Sequence, residues 1–353
     1  MKRPFVIAGP CSAETLPQML STAAALVPAG VDLFRAGIWK PRTRPGCFEG
    51  VGEPGLDWLV EVRKQTGLGV CCEVATPSHV EKCLEKGIDA LWIGARTTVN
   101  PFMVQELAEA LRGSAVKVMV KNPVNHDLGL WAGAIERLAG CGVTDLVAIH
   151  RGVSGDKVLK YRNNPAWELA IRFRSRFPEI PILCDPSHMG GDSAYVRELS
   201  QRALDLGFDG LMIESHYRPG DALCDSSQQL TPPELISLLS SLKVRETTAD
   251  DEQFLEELEQ LRARIDDIDA NILSLLSRRM GASAEIGHLK KKNNVSIIQM
   301  RRWEEVLSQM LSLGGDAGLD EEFVRCVFNL IHEESINVQN RILEDSESTG
   351  PEL

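Results

Sequence analysis

The stretch Gly210-Leu211-Met212-Ile213-Glu214, which Ser215-His216 follow, carries the pattern that decides the fold. A short apolar run that ends in polar side chains is typical of a strand buried on both faces, as in a parallel sheet. Seven earlier runs have the same character: residues 5–9, 33–37, 69–74, 90–95, 116–121, 146–150 and 182–185. With the amphipathic stretches between them, these runs predict an α/β fold, a closed (β/α)8 TIM barrel. An open doubly wound sheet is the alternative, because periodicity does not show closure.

The pattern changes near residue 243, where the chain becomes polar and loses its apolar period. Over residues 252–292, apolar side chains recur at three- and four-residue steps, which predicts one long helix. Such a helix needs a partner to cover its apolar stripe, most simply a second copy of itself. Two further helices are predicted over 298–313 and 320–343, separated by Gly314-Gly315. We therefore divide the chain into a barrel (1–242), a linker (243–253), a small all-helical domain (254–343) and an acidic tail expected to be disordered (344–353).

The composition limits the classes of partner. The 353 residues carry a net charge of −12, which argues against nucleic acid and anionic membranes. The apolar run near the N-terminus is too short for a signal peptide or a membrane span. Nine cysteines are an odd number without paired spacing, which indicates reduced thiols. We expect a cytoplasmic protein that acts on small molecules.

Cationic side chains recur at the predicted strand ends, where active sites of such barrels lie. They are Arg35, Lys40, Arg42, Arg96, Lys121 and Arg151. Cations gathered at one mouth are costly to hold together without an anion, and guanidinium and ammonium groups match phosphate and carboxylate. The pattern predicts a site for one or two small, multiply charged anions, whereas scattered surface charge would have no reason to fall at strand ends.

A second set of strand-end residues has the chemistry of metal ligands: Cys11, His188, Glu214 and Asp225. Thiolate, imidazole and two carboxylates suit a divalent transition ion. Taken singly, each has a plainer interpretation, such as a packed cysteine. Thr76-Pro77-Ser78-His79 imitates the motif that contains His188 but leads into a helical pattern, so His79 is predicted to lie at a helix start and not to bind metal.

Five motifs lie at the predicted strand ends: Ala8-Gly9-Pro10-Cys11-Ser12, Lys40-Pro41-Arg42-Thr43, Ile93-Gly94-Ala95-Arg96, Asp185-Pro186-Ser187-His188 and Ile213-Glu214-Ser215-His216. In combination they resemble 3-deoxy-D-arabino-heptulosonate 7-phosphate (DAHP) synthase of the type I beta subfamily. The resemblance covers about residues 4–242, with the motifs in family order. A sister family, 3-deoxy-D-manno-octulosonate 8-phosphate synthase, shares the barrel and the phosphoenolpyruvate chemistry but resembles the second motif poorly.

This resemblance implies a shikimate-pathway enzyme that condenses phosphoenolpyruvate with erythrose 4-phosphate. It implies that the phosphate of erythrose 4-phosphate binds Arg42 and Thr43, and that Cys11, His188, Glu214 and Asp225 bind a divalent metal (Mn, Co, Zn or Fe) that polarises the aldehyde. By the same resemblance, phosphoenolpyruvate would bind Arg35, Lys40, Arg96, Lys121 and Arg151, with Glu73 positioning water beside it.

The helical domain places cations beside its apolar stripe without acidic residues at facing positions. A dicarboxylate ligand would satisfy them, and a solvated face on a dimerisation helix is the alternative. The spacings over about 255–342 resemble the AroQ-type chorismate mutase, an interlocked homodimer. The resemblance implies that chorismate or prephenate binds Arg262 (from the other subunit), Arg279, Lys290, Arg302, Ser335 and Gln339. Arg279 and Arg262 would bind the two carboxylates, and Lys290 and Gln339 the ether oxygen, an electrostatic catalysis without cofactor.

Two positions depart from the mutase pattern. Gln299 stands where an Asp is common, and Trp303 where an acidic residue is usual; in the family these positions hold the substrate's hydroxyl group. Our leading hypothesis is a bifunctional enzyme with allosteric feedback inhibition through the mutase domain. The alternative is an active DAHP synthase whose helical domain is only a regulatory or dimerisation module.

Overall fold

The computed structural model describes residues 3–40, 46, 48–155, 160–245 and 251–344. It divides into two compact units, residues 1–247 and 248–353, which we treat separately. The predicted site residues Arg42 and Thr43 lie outside the described residues, as do 246–250 of the predicted linker and all of the predicted tail except Glu344.

Eight parallel strands of the first unit close into a barrel in chain order, and β8 pairs with β1. This closure confirms the predicted barrel over the open sheet. Three strands end before their predicted runs do, because the last residues turn out of the ladder into site loops. The strands are β1 (Phe5–Gly9), β2 (Leu33–Arg35), β3 (Gly69–Val74), β4 (Ala90–Ile93), β5 (Lys117–Lys121), β6 (Leu146–His150), β7 (Ile182–Cys184) and β8 (Gly210–Glu214).

Local signals place the helices around the sheet. Threonine, asparagine or aspartate side chains cap several N-termini, and proline often occupies the first turn, where no N–H is needed. His79 lies in the first turn of α3, as predicted. The helices are α1 (Leu16–Leu26), α2 (Pro54–Thr66), α3 (Pro77–Glu85), α4 (Ala95–Thr98), α5 (Pro101–Ala110), α6 (Leu128–Gly140), α7 (Trp167–Arg176), α8 (Pro186–Gly190), α9 (Val196–Asp205) and α10 (Pro232–Ser241), with short 3₁₀ turns at Val27–Ala29, Ser193–Tyr195, Pro219–Asp221 and Ser226–Gln228.

Within its described residues, 251–344, the second unit contains three helices: α11 (Glu252–Lys292), α12 (Met300–Asp316) and α13 (Glu321–Glu344). The prediction that Gly314-Gly315 separates the last two helices is wrong, because α12 continues through both glycines. A Cβ atom on Gly314 would lie 2.6 Å from Cγ2 of Val324, so this glycine permits close packing of α12 on α13. The left-handed residue after α12 is Gly318, at φ +73°.

The long helix α11 leaves its apolar stripe open to solvent within one chain. Leu261 is 57% exposed and Ile265 56%, and Ile268 and Ile272 are about half exposed. Apolar side chains repeated along one helix face gain free energy when covered, by roughly 25 cal/mol per Å². Among the described residues, none of the helices is both long and apolar enough to cross a lipid bilayer.

Candidate functional site

The barrel brings the four predicted metal ligands together at the carboxyl ends of its strands. One donor atom each from Cys11, Glu214 and Asp225 lies within 4.8 Å of the other two. Nε2 of His188 lies 3.6 Å from Oε1 of Glu214. Cys11 and Glu214 are buried, so a cation there would be held away from bulk water. Sulfur, imidazole and carboxylate donors at this separation fit a divalent transition ion.

Asp185 orients the histidine of this cluster. It caps α8, and its carboxylate accepts hydrogen bonds from the backbone N–H of His188 (3.1 Å) and from Nδ1 of the same ring (3.0 Å). A proton held on Nδ1 leaves the lone pair of Nε2 directed toward Glu214. Burial would raise the pKa of Asp185, but His188 and Lys121 hold it well below its usual range.

Glu214 lies at the centre of a buried polar network. Its Oε1 accepts from Arg35 Nη2 at 3.0 Å, and its Oε2 accepts from Gln228 Nε2 at 2.7 Å. Its backbone N–H donates to the hydroxyl of Ser187, which joins β8 to α8, the helix that carries His188. Fully paired, this carboxylate stays charged: burial would raise its pKa, but His188 and Arg35 lower it below the usual value.

Cys11 is held from two sides. Its backbone N–H donates to Gln229 Oε1 at 3.0 Å, and Nζ of Lys40 donates to its sulfur at 3.1 Å. A hydrogen bond with Cys224, together with burial, raises the pKa of the Cys11 thiol. Because metal binding requires the thiolate, a cation at this site must displace that proton.

Asp225 is presented by a strained backbone. Its φ of +48° lies in the left-handed region, which is uncommon for a residue with a side chain. Burial would raise its pKa, but His188 and Arg162, whose Nη1 lies 3.1 Å from Oδ1, lower it to about 2. The carboxylate is therefore available as an anionic ligand at any physiological pH.

Buried cations stand beside this cluster. Arg35 is 1% exposed and Lys121 5%. Nζ of Lys121 lies 2.6 Å from Asp185 Oδ2, but Nε and Nη1 of Arg35 are buried and find no hydrogen-bond partner among the described residues. Burial lowers the pKa of Arg151 to about 10, and the charges of Arg162 and Arg96 add to that shift. A buried guanidinium that keeps two donor nitrogens without a partner among the described residues calls for an anionic ligand.

Glu73 faces the same region from β3. Its Oε2 accepts from Nε1 of Trp92 at 3.2 Å. A Cβ atom on Gly94 would lie 2.1 Å from Oε1 of Glu73, so the carboxylate occupies the space that any side chain at Gly94 would need. This contact explains why the motif Ile93-Gly94-Ala95-Arg96 has a glycine at position 94.

Several residues of the site were missed by the sequence analysis. Asp185 and Ser187 belong to a quoted motif but were given no role, and Gln228 and Gln229 follow the predicted ligand Asp225 by three and four residues. A position within four residues of His188 or Asp225 was the signal available for all four. Asn163 was also missed; its amide joins Arg151 Nη1 to the backbone carbonyl of His188.

The helical unit contains a separate cavity of about 170 Å³. Nζ of Lys290 donates to the carbonyl of Ile297 at 2.5 Å, and Arg279 donates to the hydroxyl of Ser335. Oε1 of Gln339 is buried and lacks a partner among the described residues. Five of the six predicted mutase residues line this cavity, together with the two departures from the family pattern: Arg279, Lys290, Arg302, Ser335 and Gln339, with Gln299 and Trp303. Arg262 does not; it lies on exposed α11 and pairs with Glu259 at 3.7 Å.

Comparison with known proteins agrees with this division. Residues 2–250 match the family model described as the DAHP synthetase I family, and residues 261–340 match chorismate mutase type II. A phospho-2-dehydro-3-deoxyheptonate aldolase of Thermotoga maritima is 34% identical over 226 residues, 64% of this chain and 64% of that protein's own length. A 2-dehydro-3-deoxyphosphooctonate aldolase of Nitratidesulfovibrio vulgaris is 25% identical over 68% of this chain and 91% of its own length.

A crystal structure of the DAHP synthase of Thermotoga maritima superposes with a TM-score of 0.61 at 30% identity, covering 67% of this chain and 68% of that one. Both the fold and the family match therefore agree with the site geometry in the barrel, and the second family match covers the helices that line the cavity. The chain belongs to the DAHP synthetase I family and carries a chorismate mutase type II domain at residues 261–340.

Proposed function

We propose that the protein is bifunctional: its barrel condenses phosphoenolpyruvate with erythrose 4-phosphate to give DAHP and phosphate, and its helical domain rearranges chorismate to prephenate. The observation that carries the proposal is the buried guanidinium of Arg35, which pairs with Glu214 of the ligand cluster and keeps two nitrogens without a partner among the described residues. A phosphorylated carboxylate bound there would complete those hydrogen bonds beside the cluster.

In the barrel, the carboxylate and phosphate of phosphoenolpyruvate are bound by the cations of the mouth: Arg35, Lys40, Arg96, Lys121 and Arg151. The phosphate of erythrose 4-phosphate is assigned to Arg42 and Thr43. Carbon 3 of phosphoenolpyruvate attacks the aldehyde carbon, water adds at carbon 2, and phosphate leaves from that carbon to give the ketone. Glu73 positions the water, with its carboxylate held by Trp92.

Cys11, His188, Glu214 and Asp225 would hold a divalent metal, which supplies Lewis-acid polarisation of the aldehyde when bound. The mixed sulfur, nitrogen and oxygen set favours a transition ion such as Mn, Co, Zn or Fe over Mg or Ca, which prefer oxygen alone. Asp185 keeps the Nε2 lone pair of His188 turned to the cluster, and Lys40 favours the thiolate of Cys11.

In the helical cavity, Arg279 and Arg262 would bind the two carboxylates of chorismate, and Lys290 and Gln339 would hydrogen-bond the ether oxygen as negative charge develops there. Arg262 would reach the cavity from a second subunit. The exposed apolar stripe of α11 supports a homodimer, because a second copy of the same stripe would cover it. Burial lowers the pKa of Arg279 and of Lys290, which is consistent with cations kept for an anionic ligand.

We further infer that a ligand of the helical domain inhibits the condensation. The condensation lies at the start of the route to chorismate, and the rearrangement is the step that consumes chorismate. The concentration of a ligand of the helical domain therefore reflects how much chorismate or prephenate is already available. Coupling requires that the ligand favour one state of the whole protein over another. The alternative is that the helical domain only binds the ligand or only dimerises. We also infer that the substrates are small molecules of the cytoplasm; the net charge of −12 supports the exclusion of nucleic acid as a partner.

A pair of assays on the purified full chain tests the proposal. Condensation is measured with and without a chelator, and again after Mn²⁺ is added back; chorismate disappearance is measured on the same sample. We expect the chelator to abolish condensation and leave chorismate turnover unchanged. Condensation that survives exhaustive chelation would refute the metal site, and chorismate that persists would favour the regulatory alternative. Inhibition of condensation by prephenate, lost in Arg279→Leu, would support feedback.

A further inference from the structure

Two aromatic rings stack inside the helical cavity. Trp303 on α12 and His332 on α13 lie with their ring centroids 3.9 Å apart and their planes inclined by only 8°. Both residues line the cavity together with Arg279 and Lys290. Stacking at this distance fixes the plane of the imidazole, since any rotation of the ring would break contact with the larger indole.

The imidazole has hydrogen-bonding capacity to spare. Neither ring nitrogen of His332 forms a hydrogen bond with any residue in the described part of the chain. The polar side chains of the next turns of α13 have backbone partners: Ser335 donates to the carbonyl of Ile331, and Gln339 donates to the carbonyl of Ser335. Burial, with the charges of Arg279 and Lys290, lowers the pKa of His332. The ring is therefore neutral at neutral pH and offers one donor and one acceptor.

A neutral imidazole leaves the charges of this cavity as they are. It does not pair with Arg279 or Lys290, so both cations stay available for the carboxylates of a bound ligand. An imidazole can bind an uncharged hydroxyl group without cancelling the cations. Trp303, which replaces an acidic residue at its own position, supplies the surface that holds the imidazole.

We propose that Trp303 and His332 form one recognition unit in which the indole positions the imidazole and the imidazole hydrogen-bonds the hydroxyl group of the ring-shaped dicarboxylate substrate. His332 is then a binding residue, and Trp303 is a positioning residue that acts through it. The inference rests on the proposed mutase function, because the substrate class is that of the same cavity.

A double-mutant cycle on the full chain tests the unit. We would measure kcat and KM for chorismate in His332→Leu, Trp303→Leu and the double variant. Loss of one neutral hydrogen bond predicts that kcat/KM falls about 5- to 10-fold in each single variant. Because the two residues act as a unit, the double variant is expected to be no worse than the worse single variant. His332→Gln, which keeps a donor and an acceptor, is expected to recover activity to within about threefold of the wild type.

Controls separate recognition from folding and from failure of the proposed function. His288→Leu changes an exposed histidine of α11 that does not line the cavity and is expected to leave kcat/KM unchanged. Far-ultraviolet circular dichroism checks that each variant keeps its helices. If the wild type does not turn over chorismate, the mutase function fails, and the unit is tested by quenching of tryptophan fluorescence by prephenate, which should weaken in His332→Leu. Any of three results would overturn the proposal. The first is activity or binding within twofold of the wild type in His332→Leu. The others are equal losses in His332→Gln and His332→Leu, and full additivity of the two losses in the double variant.

Discussion

Oδ2 of Asp185 lies 2.8 Å from Nδ1 of His188, and the same oxygen lies 2.6 Å from Nζ of Lys121. One buried carboxylate therefore orients a candidate metal ligand and neutralises a candidate substrate-binding cation. Because Asp185 touches both, the ligand cluster and the anion pocket of the barrel are parts of one network.

Asp185→Asn tests this connection. The amide can still accept from Nδ1 but carries no charge, so it no longer compensates Lys121 or strengthens the basicity of His188. We expect metal affinity to fall about 10- to 100-fold. The measurement is a competition titration of Mn²⁺ or Zn²⁺ against a chelating dye. Asp205→Asn, at an exposed position at the end of α9, is the matched control. An unchanged affinity in Asp185→Asn would contradict the orienting role.

The two thiols near the cluster are expected to differ. Cys11→Ser replaces a sulfur donor that lies 3.5 Å from Asp225 Oδ2, so both bound metal and condensation should be lost. Cys224→Ser keeps a small hydrogen-bonding group beside Ser12 and should retain metal stoichiometry. Elemental analysis of the dialysed proteins measures the metal bound per chain, with Cys326→Ser, at an exposed position, as the reference variant. Equal metal content in Cys11→Ser and Cys326→Ser would remove Cys11 from the ligand set.

Gly94→Ala should impair condensation without unfolding the barrel. The new Cβ would lie 2.1 Å from Oε1 of Glu73 and must displace that carboxylate. We expect a drop in kcat of at least tenfold, since displacements of about 1 Å near reacting groups are costly. Gly133→Ala is the control, because nothing lies within 4 Å of its added methyl group and it gains helix propensity. A Gly94→Ala enzyme with wild-type kcat would dismiss the role of Glu73.

His150 should make the barrel sensitive to mild acid. Burial, only partly offset by the hydrogen bond to the Pro165 carbonyl, lowers its pKa to about 4, against about 6.5 for an exposed imidazole. The unfolded chain therefore binds a proton between pH 6.5 and 4 that the folded chain does not. The free energy of unfolding therefore decreases as the pH is lowered through this window, by at most about 1.4 kcal/mol per pH unit.

Urea denaturation at pH 7 and pH 5 measures this slope. His150→Phe removes the titrating group and keeps an aromatic ring near Trp131 and Trp167, so its stability should depend less on pH than that of the wild type. Parallel slopes for the wild type and His150→Phe would show that His150 does not titrate in this window.

A charge on the apolar stripe of α11 should separate the proposed dimer. Ile268→Glu places a carboxylate on a face that a second copy would bury, at a cost of several kcal/mol if unpaired. We expect a monomer by sedimentation velocity, with chorismate turnover lost because Arg262 is no longer supplied. Gln260→Glu adds the same charge to the same exposed helix outside the stripe. A monomeric wild type that turns over chorismate would exclude donation of Arg262 by a partner.

How much could be predicted differs between the two units. In the barrel, the eight apolar runs predicted the strands. In the helical unit, the helix expected over 252–292 has the observed bounds of α11. The role of Gly314 was misjudged, because a glycine pair reads as a helix break, whereas its packing against Val324 depends on how α12 meets α13. The sequence spacings placed Arg262 in the same site as Arg279, but within one chain Arg262 does not line the cavity that contains Arg279.

The sequence by itself determined the order of strands and helices and the residue types at strand ends, because burial imposes a period of two or 3.6 residues on each element separately. Only the tertiary structure decided which of those residues touch. Arg35 meets Glu214 because closure brings β8 back to β1, next to β2, and 179 residues of chain separate the pair. The same closure leaves two nitrogens of Arg35 without a partner in the described part of the chain, gives Asp185 two partners and sets Gln228 against Glu214. Contacts of this kind depend on the register of the whole barrel, which no local period records.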